Sequence, residues 1–287
     1  ELVAEKVDAI TGGQLTVEYY PNSEMGGDMD IQQQMLDGTL DYVVLQTAPT
    51  VSFVPAVAVF DLPMVFAQYD GDTIDQVLNG DDSEFLKAIA PKYEEKNMKI
   101  LGYLQNATYR LTTSNVKLDT LDAFKGLQIR TMENQNHMAF WSALGAAPTP
   151  LAWPEVYISL QNGTIDAQEN AADTCMTSNF QEVQKYLTLD NHVHNFLAVL
   201  TNENWLNSLS ADDQQLVKDC VAEMVTTQRS MELEDNDAVV AKLQDAGMEV
   251  NELTDEQYQA FVDAVQPMYA QFSVGYEDLL QQIQDMQ

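Results

Sequence analysis

Only three arginines, Arg110, Arg130 and Arg229, stand in a 287-residue chain with 45 acidic residues, 13 basic residues and a net charge of −32. Arg130 sits in the strand-like segment Leu127–Thr131 (LQIRT), flanked by Leu127 and Ile129, and Arg110 lies in NATYRLTTSN beside another such segment. A guanidinium at a strand end among apolar neighbours needs an anionic partner, because an unpaired charge is costly to take from water. Two partners answer that need: a carboxylate of the protein, which this acidic chain offers in number, or the carboxylate of a ligand. The guanidinium fork matches a carboxylate with two parallel hydrogen bonds. A hydrogen bond to a charged group contributes roughly 1.5–3 kcal/mol, against about 0.5–1.5 kcal/mol for a neutral one. The overall acidity does not forbid an anionic ligand, since a Debye length of about 8 Å at physiological salt hides distant carboxylates. Composition leaves both partners open.

Other residues are open to two readings each. Trp153, in AWPEVY, precedes a helix start and closes a pocket wall or fills core. Asn170, ending GTIDAQEN, donates an amide to a ligand or makes a turn. His137, His192 and His194 form no H-E-x-x-H, and two imidazoles in His192-Val-His194 are weak grounds for a metal. G-x-S-x-G, the P-loop and G-x-G-x-x-G are absent. Cys175 and Cys220 match no metal spacing; they pair if the chain is exported or are buried thiols, and the unpaired reading is favoured. No catalysis, cofactor or metal is expected.

The surrounding composition narrows the class. Hydrophobic residues make up 45% and charged residues 20%, which fits a globular chain long enough for two domains. No apolar run reaches the ~18 residues of a membrane span; Val51 to Phe66 comes nearest, and Pro55, Asp61 and Pro63 interrupt it. Nucleic-acid binding needs clustered Lys and Arg, which this charge balance denies. The chain opens inside a helical pattern, Glu1 to Ile10, with no capping residue and no signal peptide, and reads as trimmed at its N-terminus.

Strand and helix patterns alternate. Leu15–Tyr20 and Leu40–Gln46 read as strands, Asp28–Asp37 as a helix stopped by Gly38, Asp82–Asn97 as a helix before the strand Lys99–Leu104. Leu127–Thr131 is a strand, and Asn136–Leu144 and Glu155–Asn162 are helices stopped by Gly145 and Gly163. This rhythm predicts an α/β fold with largely parallel sheets. Ala211 to Ala246 has no Gly or Pro and predicts one helix about 54 Å long, enough to span two domains. Thr254-Asp-Glu-Gln257 is a capping box, and the Gln-rich end reads as a helix fraying into solvent. Two lobes and a bridging helix imply a cleft, where ligands sit at strand carboxyl ends.

In order and spacing, TGGQLTVEYYPNSEMGG (11–27), DGTLDYVV (37–44), FDLPMVF (60–66), LDAFKGLQIRTMEN (121–134), LGAAPTPLAWPEVYISLQNGTIDAQEN (144–170) and EVQKYLTLDNHV (182–193) resemble the DctP-type solute-binding proteins of tripartite ATP-independent periplasmic (TRAP) transporters. The resemblance runs through nearly the whole chain. It implies a two-lobed periplasmic-binding-protein-like α/β fold with a central cleft and a long helix, about 211–246, bridging both lobes. The expected lobes are 1–107 with 196–235, and 108–195 with 236–287. It implies that Arg130 holds a ligand carboxylate, that Asn170 assists, that Arg110 lies near the site and that Trp153 lines it. Gln46, Asn106 and Asn134 stand at strand ends within reach. The expected ligand is a small organic-acid anion, a uronate or aldonate if the neutral amides dominate, a dicarboxylate if Arg110 supplies a second cation. The expected partner is the TRAP membrane permease, and the expected setting is extracytoplasmic, as a monomer. An enzyme acting on an Arg-bound acid, with Cys175 as its thiol, is the reading from another class. Members of this family usually begin with a strand before the helix in which this chain opens, so the N-terminal side of the pocket is left unspecified.

Overall fold

The computed structural model describes residues 2–13, 16–66, 69–80, 82–232 and 236–285. Among these residues nine strands form two sheets. They are Tyr42–Gln46 (β1), Met98–Tyr109 (β2), Leu111–Ser114 (β3), Gln128–Thr131 (β4), Ala147–Pro150 (β5), Ala167–Asn170 (β6), Tyr186–Leu189 (β7), His194–Asn202 (β8) and Glu249–Glu252 (β9).

The first sheet has the order β1-β8-β2 and both of its pairings are antiparallel. The second has the order β5-β4-β6-β3-β7-β9. Its β4–β5, β4–β6 and β7–β9 pairs are parallel, while β3 runs antiparallel to β6 and β7. The expectation of largely parallel sheets is therefore wrong for the first lobe. Alternating strands and helices do not fix direction: β8 returns from the second lobe and lies between β1 and β2, opposed to both.

Each sheet has its own core. In the first lobe Phe60 meets Phe85, Tyr103 and Phe196 with ring centroids 5.2–5.5 Å apart, and Val43, Leu45 and Ile89 surround them. In the second, Phe124, Phe140, Trp141 and Phe261 pack on Ile129 and Ala167. A further cluster there joins Leu160, Phe180 and Leu187 to Leu243 and Met248. The chain passes between lobes at Tyr109–Leu111, where β2 gives way to β3, and again before β8.

Local sequence sets the element ends. Asn134 caps the helix Gln135–Ala143, its side-chain oxygen accepting from the backbone N–H groups of Asn136 (2.7 Å) and His137 (3.2 Å). Gly145 follows that helix with φ +87°, a conformation that suits glycine. Thr254 and Gln257 form the expected capping box of Asp255–Phe272.

Two expectations change, and a third meets undescribed residues. The strand foreseen at Leu15–Tyr20 is not formed over Thr16–Tyr20, whose alternating residues find no partner strand; Leu15 lies outside the described residues. Within the expected long helix, Ala211–Glu232 and Asn236–Asp245 are helical, and the stretch 233–235 between them lies outside the described residues. The first carries Val221 and Val225 against Leu104 and Val199 of the first sheet, and the second places Leu243 in the second lobe's core. The last helix, Glu277–Gln284, does not fray. Leu279, Leu280 and Ile283 bury against the first lobe, so this end of 236–287 departs from the lobe expected for it. The amphipathic spacing of these three residues is the signal that the glutamines obscured.

Candidate functional site

The parallel pairs β4–β5 and β4–β6 bring three strand carboxyl ends together. Arg130 on β4 is opposite Gln168 on β6 and Thr149 on β5, so Asn170 and Leu151 lie just beyond it in the direction both strands run. This is where open α/β sheets hold ligands.

Arg130 is 3% exposed. Its Nε and Nη2 both donate to the carbonyl of Leu151, at 2.9 and 2.7 Å. No carboxylate among the described residues lies within ion-pair distance of it, and no described residue accepts from its Nη1. Its charged plane lies over the indole of Trp153, 5.7 Å from the ring centroid. Trp153 is held in turn by Phe180 at 5.7 Å. Burial lowers the guanidinium to about 10; Glu169 opposes this and Arg110 adds to it. This is a buried cation whose protein partners do not balance its charge.

Arg110 is 1% exposed and is fully engaged. It pairs with the Glu169 carboxylate through Nε and Nη2, donates to the Glu169 carbonyl at 2.8 Å, and donates from Nη1 to Asn195 Oδ1 at 2.7 Å. Gln46, half-buried at the end of β1, accepts from Nη1 at 3.5 Å. Of the two strand-end arginines, one has a carboxylate partner among the described residues and the other does not.

Glu169 is the centre of a wider buried group. His192 bridges it at 3.3 Å to Asp190 at 3.0 Å, and Asp190 also accepts from Thr112 Oγ1 at 2.5 Å. His137 approaches Asp61 at 3.3 Å and Glu169 at 3.7 Å. Burial pushes the Glu169 carboxyl up, but Arg110 and the two imidazoles outweigh it and hold the group well below the usual range. Burial likewise opposes charge on His192, yet Asp190 and Glu169 raise it to about 9. His194 has no such neighbour; stacked on Phe196 at 4.3 Å, it is lowered to about 3 by burial. The two histidines of His192-Val-His194 thus sit in opposite electrostatic settings.

Asn170 is buried at the carboxyl end of β6. Its amide meets only Gln168 Oε1, at 3.4 Å, and no described residue donates to its Oδ1. Asn134 is different. Its oxygen serves the helix cap described above, and its Nδ2 donates to Ala48 O at 2.9 Å and Asp61 Oδ2 at 2.7 Å. Both bonds cross from the second lobe to the first, as does Asn136 Nδ2 to Ala58 O at 2.9 Å. All four hydrogen-bonding positions of Asn134 are used by the protein, and two of them tie the lobes. Asn106 lies outside the residues whose side chains are described.

Sequence reasoning missed Asp28. It opens the helix Asp28–Leu36 and is half-buried. Burial raises its carboxyl to about 6, with Gln46 and Arg130 opposing. Just before it, Gly27 comes so near the second lobe that a Cβ there would stand 3.7 Å from Ala152 Cβ and 3.9 Å from Pro154 Cδ. The lobes meet at this edge. An acid at a helix start is ordinary dipole complementarity, so nothing in the sequence marked it out. Glu169 was visible only as one letter of QEN.

The thiol chemistry considered for Cys175 finds no support in its surroundings. The residue is fully buried, and burial raises its thiol to about 12. Cys175 and Cys220 are both free.

Comparison with known proteins agrees with this architecture. The model of the family described as bacterial extracellular solute-binding protein, family 7, matches residues 1–274. The 2,3-diketo-L-gulonate-binding periplasmic protein YiaO of Escherichia coli is 30% identical over 281 residues, covering 96% of this chain and 84% of that protein. Among solved structures, the sugar acid binding protein DctPAm of Advenella mimigardefordensis, in complex with galactonate, superposes with a TM-score of 0.92 at 27% identity, over 99% of this chain and 91% of that one. A TRAP periplasmic solute-binding protein of Shewanella oneidensis with bound succinate gives a TM-score of 0.91 at 26% identity, over 99% and 92%.

Proposed function

The chain belongs to bacterial extracellular solute-binding protein family 7, and we propose that it captures a small organic-acid anion, a sugar acid such as a uronate or aldonate foremost, and delivers it to a TRAP-type membrane permease. One observation carries this reading: Arg130 is as buried as Arg110 but has no carboxylate partner among the described residues. In the complex a ligand carboxylate supplies the missing charge. Nη1, with no described acceptor, takes one carboxylate oxygen; Trp153 forms the wall beneath; Asn170 gives its amide to the same end of the ligand. Arg110 stays with Glu169 and positions Gln46 rather than offering a second anion site. A four-carbon dicarboxylate is the alternative within this class.

Such a protein acts by closing, not by catalysis. Two lobes joined by a few crossings close on a ligand by hinge rotation, and a permease reads the closed form. The periplasmic setting of relatives such as YiaO supports an extracytoplasmic location, and no described helix is long and apolar enough to cross a membrane. We place the protein there as a monomer with no cofactor.

A thermal-shift screen with organic acids tests the reading. A ligand at a hundred times its Kd adds about 2.7 kcal/mol to stability. The expected result is a clear rise in melting temperature with at least one acid and none with its neutral amide. Equal stabilisation by acid and amide would overturn it.

A further inference from the structure

In the run Gln168-Glu169-Asn170 the glutamate pairs with Arg110 and the asparagine is assigned to the ligand, which leaves Gln168 without a role. Gln168 and Asn170 share one face of β6, because strand side chains alternate. Gln168 stands opposite Arg130 on β4 and opposite Thr113 on β3, so these residues form one row across the sheet. Gln168, Thr113 and Gln184 are all buried, and hydrogen bonds link them in one order. Gln184 Nε2 donates to the carbonyls of Val183 at 3.1 Å and Asp166 at 3.4 Å. Thr113 Oγ1 donates to Gln184 Oε1 at 3.2 Å. Gln168 Nε2 donates to Thr113 Oγ1 at 2.9 Å, and Asn170 Nδ2 donates to Gln168 Oε1 at 3.4 Å.

The direction of this chain is not free. A carbonyl only accepts, so the two carbonyls beside Gln184 fix its nitrogen toward them and its Oε1 toward Thr113. The Thr113 hydroxyl has one hydrogen, spends it there, and can only accept from Gln168. That turns Gln168 Oε1 to Asn170, where it needs a donor. Reversing the Asn170 amide would set two acceptors face to face and leave a buried oxygen unsatisfied. Cys175 adds to the hold. Its sulfur lies 3.5 Å from Gln168 Nε2 and 4.0 Å from the Asn170 carbonyl oxygen, so the buried thiol accepts from one residue and donates to the other.

We infer that Gln168 is a positioning residue for ligand capture: backed by Thr113, Gln184 and Cys175, it locks the amide of Asn170 in one orientation before the ligand arrives. This rests on the reading above, in which Asn170 gives its amide to the ligand. An amide nitrogen carries two hydrogens. Gln168 takes one, and the other is left for a carboxylate oxygen. Without the chain the amide is free to reverse, and the reversed form turns an acceptor upon an anion. Holding it beforehand removes that ordering cost from binding.

The test titrates an acid that binds the wild type, with glucuronate, galactonate and succinate tried first, by calorimetry. Gln168→Met keeps the length of the side chain and removes both polar atoms. It is expected to weaken binding about three- to tenfold, the worth of one neutral hydrogen bond. Thr113→Val, two hydrogen bonds from Asn170, is expected to weaken it about two- to threefold, while Thr113→Ser, which keeps the hydroxyl, binds as wild type. In an Asn170→Ala background neither Gln168→Met nor Thr113→Val weakens binding further, whereas lost packing alone would lower affinity by the same factor in both backgrounds. Equal factors in both backgrounds overturn the inference. If Gln168→Met does not fold, the Thr113 pair decides: equal affinity in Thr113→Val and Thr113→Ser contradicts it. If Asn170→Ala weakens binding and Gln168→Met does not, only the role of Gln168 fails. If Asn170→Ala binds as wild type, the place of Asn170 in the reading fails and this inference with it. If no acid binds the wild type, the acid-capture reading itself fails, and this inference falls too.

Discussion

Glu169 closes the fork of Arg110 in the protein interior, a pair in which both side chains are at most 1% exposed. Removing one partner of such a pair strands the other charge, at a cost of about 3–5 kcal/mol. Glu169→Gln is therefore expected to destabilise the fold strongly. It also leaves His137 and His192 without their shared carboxylate. Thermal unfolding of the ligand-free variant measures this. A melting temperature within a degree of wild type contradicts the assignment of Arg110 as structural.

Asn134 ties helix Gln135–Ala143 of the second lobe to Ala48 and Asp61 of the first. Asn134→Ala removes two cap bonds and two interlobe bonds. The cap alone is worth about 1 kcal/mol, and a buried Asp61 loses a partner besides, so a loss of about 2–4 kcal/mol is expected. Denaturant unfolding reads it. A variant with unchanged stability and a large loss of ligand affinity would return Asn134 to the ligand contacts.

The buried group around Glu169 makes stability depend on pH. His192 is raised to about 9 against the ordinary imidazole value of 6.5. Its folded form binds the proton more tightly than the unfolded chain does, so its contribution is full below pH 6.5. That contribution is lost as pH rises through about 9. Glu169, held below the usual range, acts in the opposite direction: its contribution is present above the ordinary carboxylate value and is lost on strong acidification. The melting temperature of the ligand-free protein should fall between pH 6.5 and 9. His192→Gln should flatten that limb; a flat limb in the wild type would show that His192 is neutral.

Much of this fold was legible in the sequence because its signals are local. The helix Asp28–Leu36 and its glycine stop, the strands around Leu45 and Ile129, and the Thr254 capping box depend on residues within a turn of one another. What was not legible depends on residues far apart. The antiparallel seating of β8 between β1 and β2 joins segments more than 80 residues apart. The burial of Glu277–Gln284 against Ile89 and Phe85 is the same kind of fact. In the site, Arg110 and Arg130 looked alike, two arginines at strand ends. Only the cross-strand position of Glu169, opposite Thr112 of β3, distinguishes them. For Asn134 the strand-end position was visible, while its four protein partners, two of them more than 70 residues distant, were not.

The central claim is that Arg130 is held without a protein carboxylate so that it can take one from a ligand. Isothermal titration of an acid found in the screen, against the wild type, Arg130→Ala and Arg130→Lys, tests it most directly. Loss of the fork should weaken binding by at least about a hundredfold in Arg130→Ala, since a buried anion is left unpaired. Arg130→Lys should also bind more weakly than wild type, because a point charge does not replace two parallel bonds. Melting temperatures of the ligand-free variants near wild type would show that the loss belongs to the ligand and not to the fold. Unchanged affinity in Arg130→Ala, with the acid still bound at one site, would contradict the account.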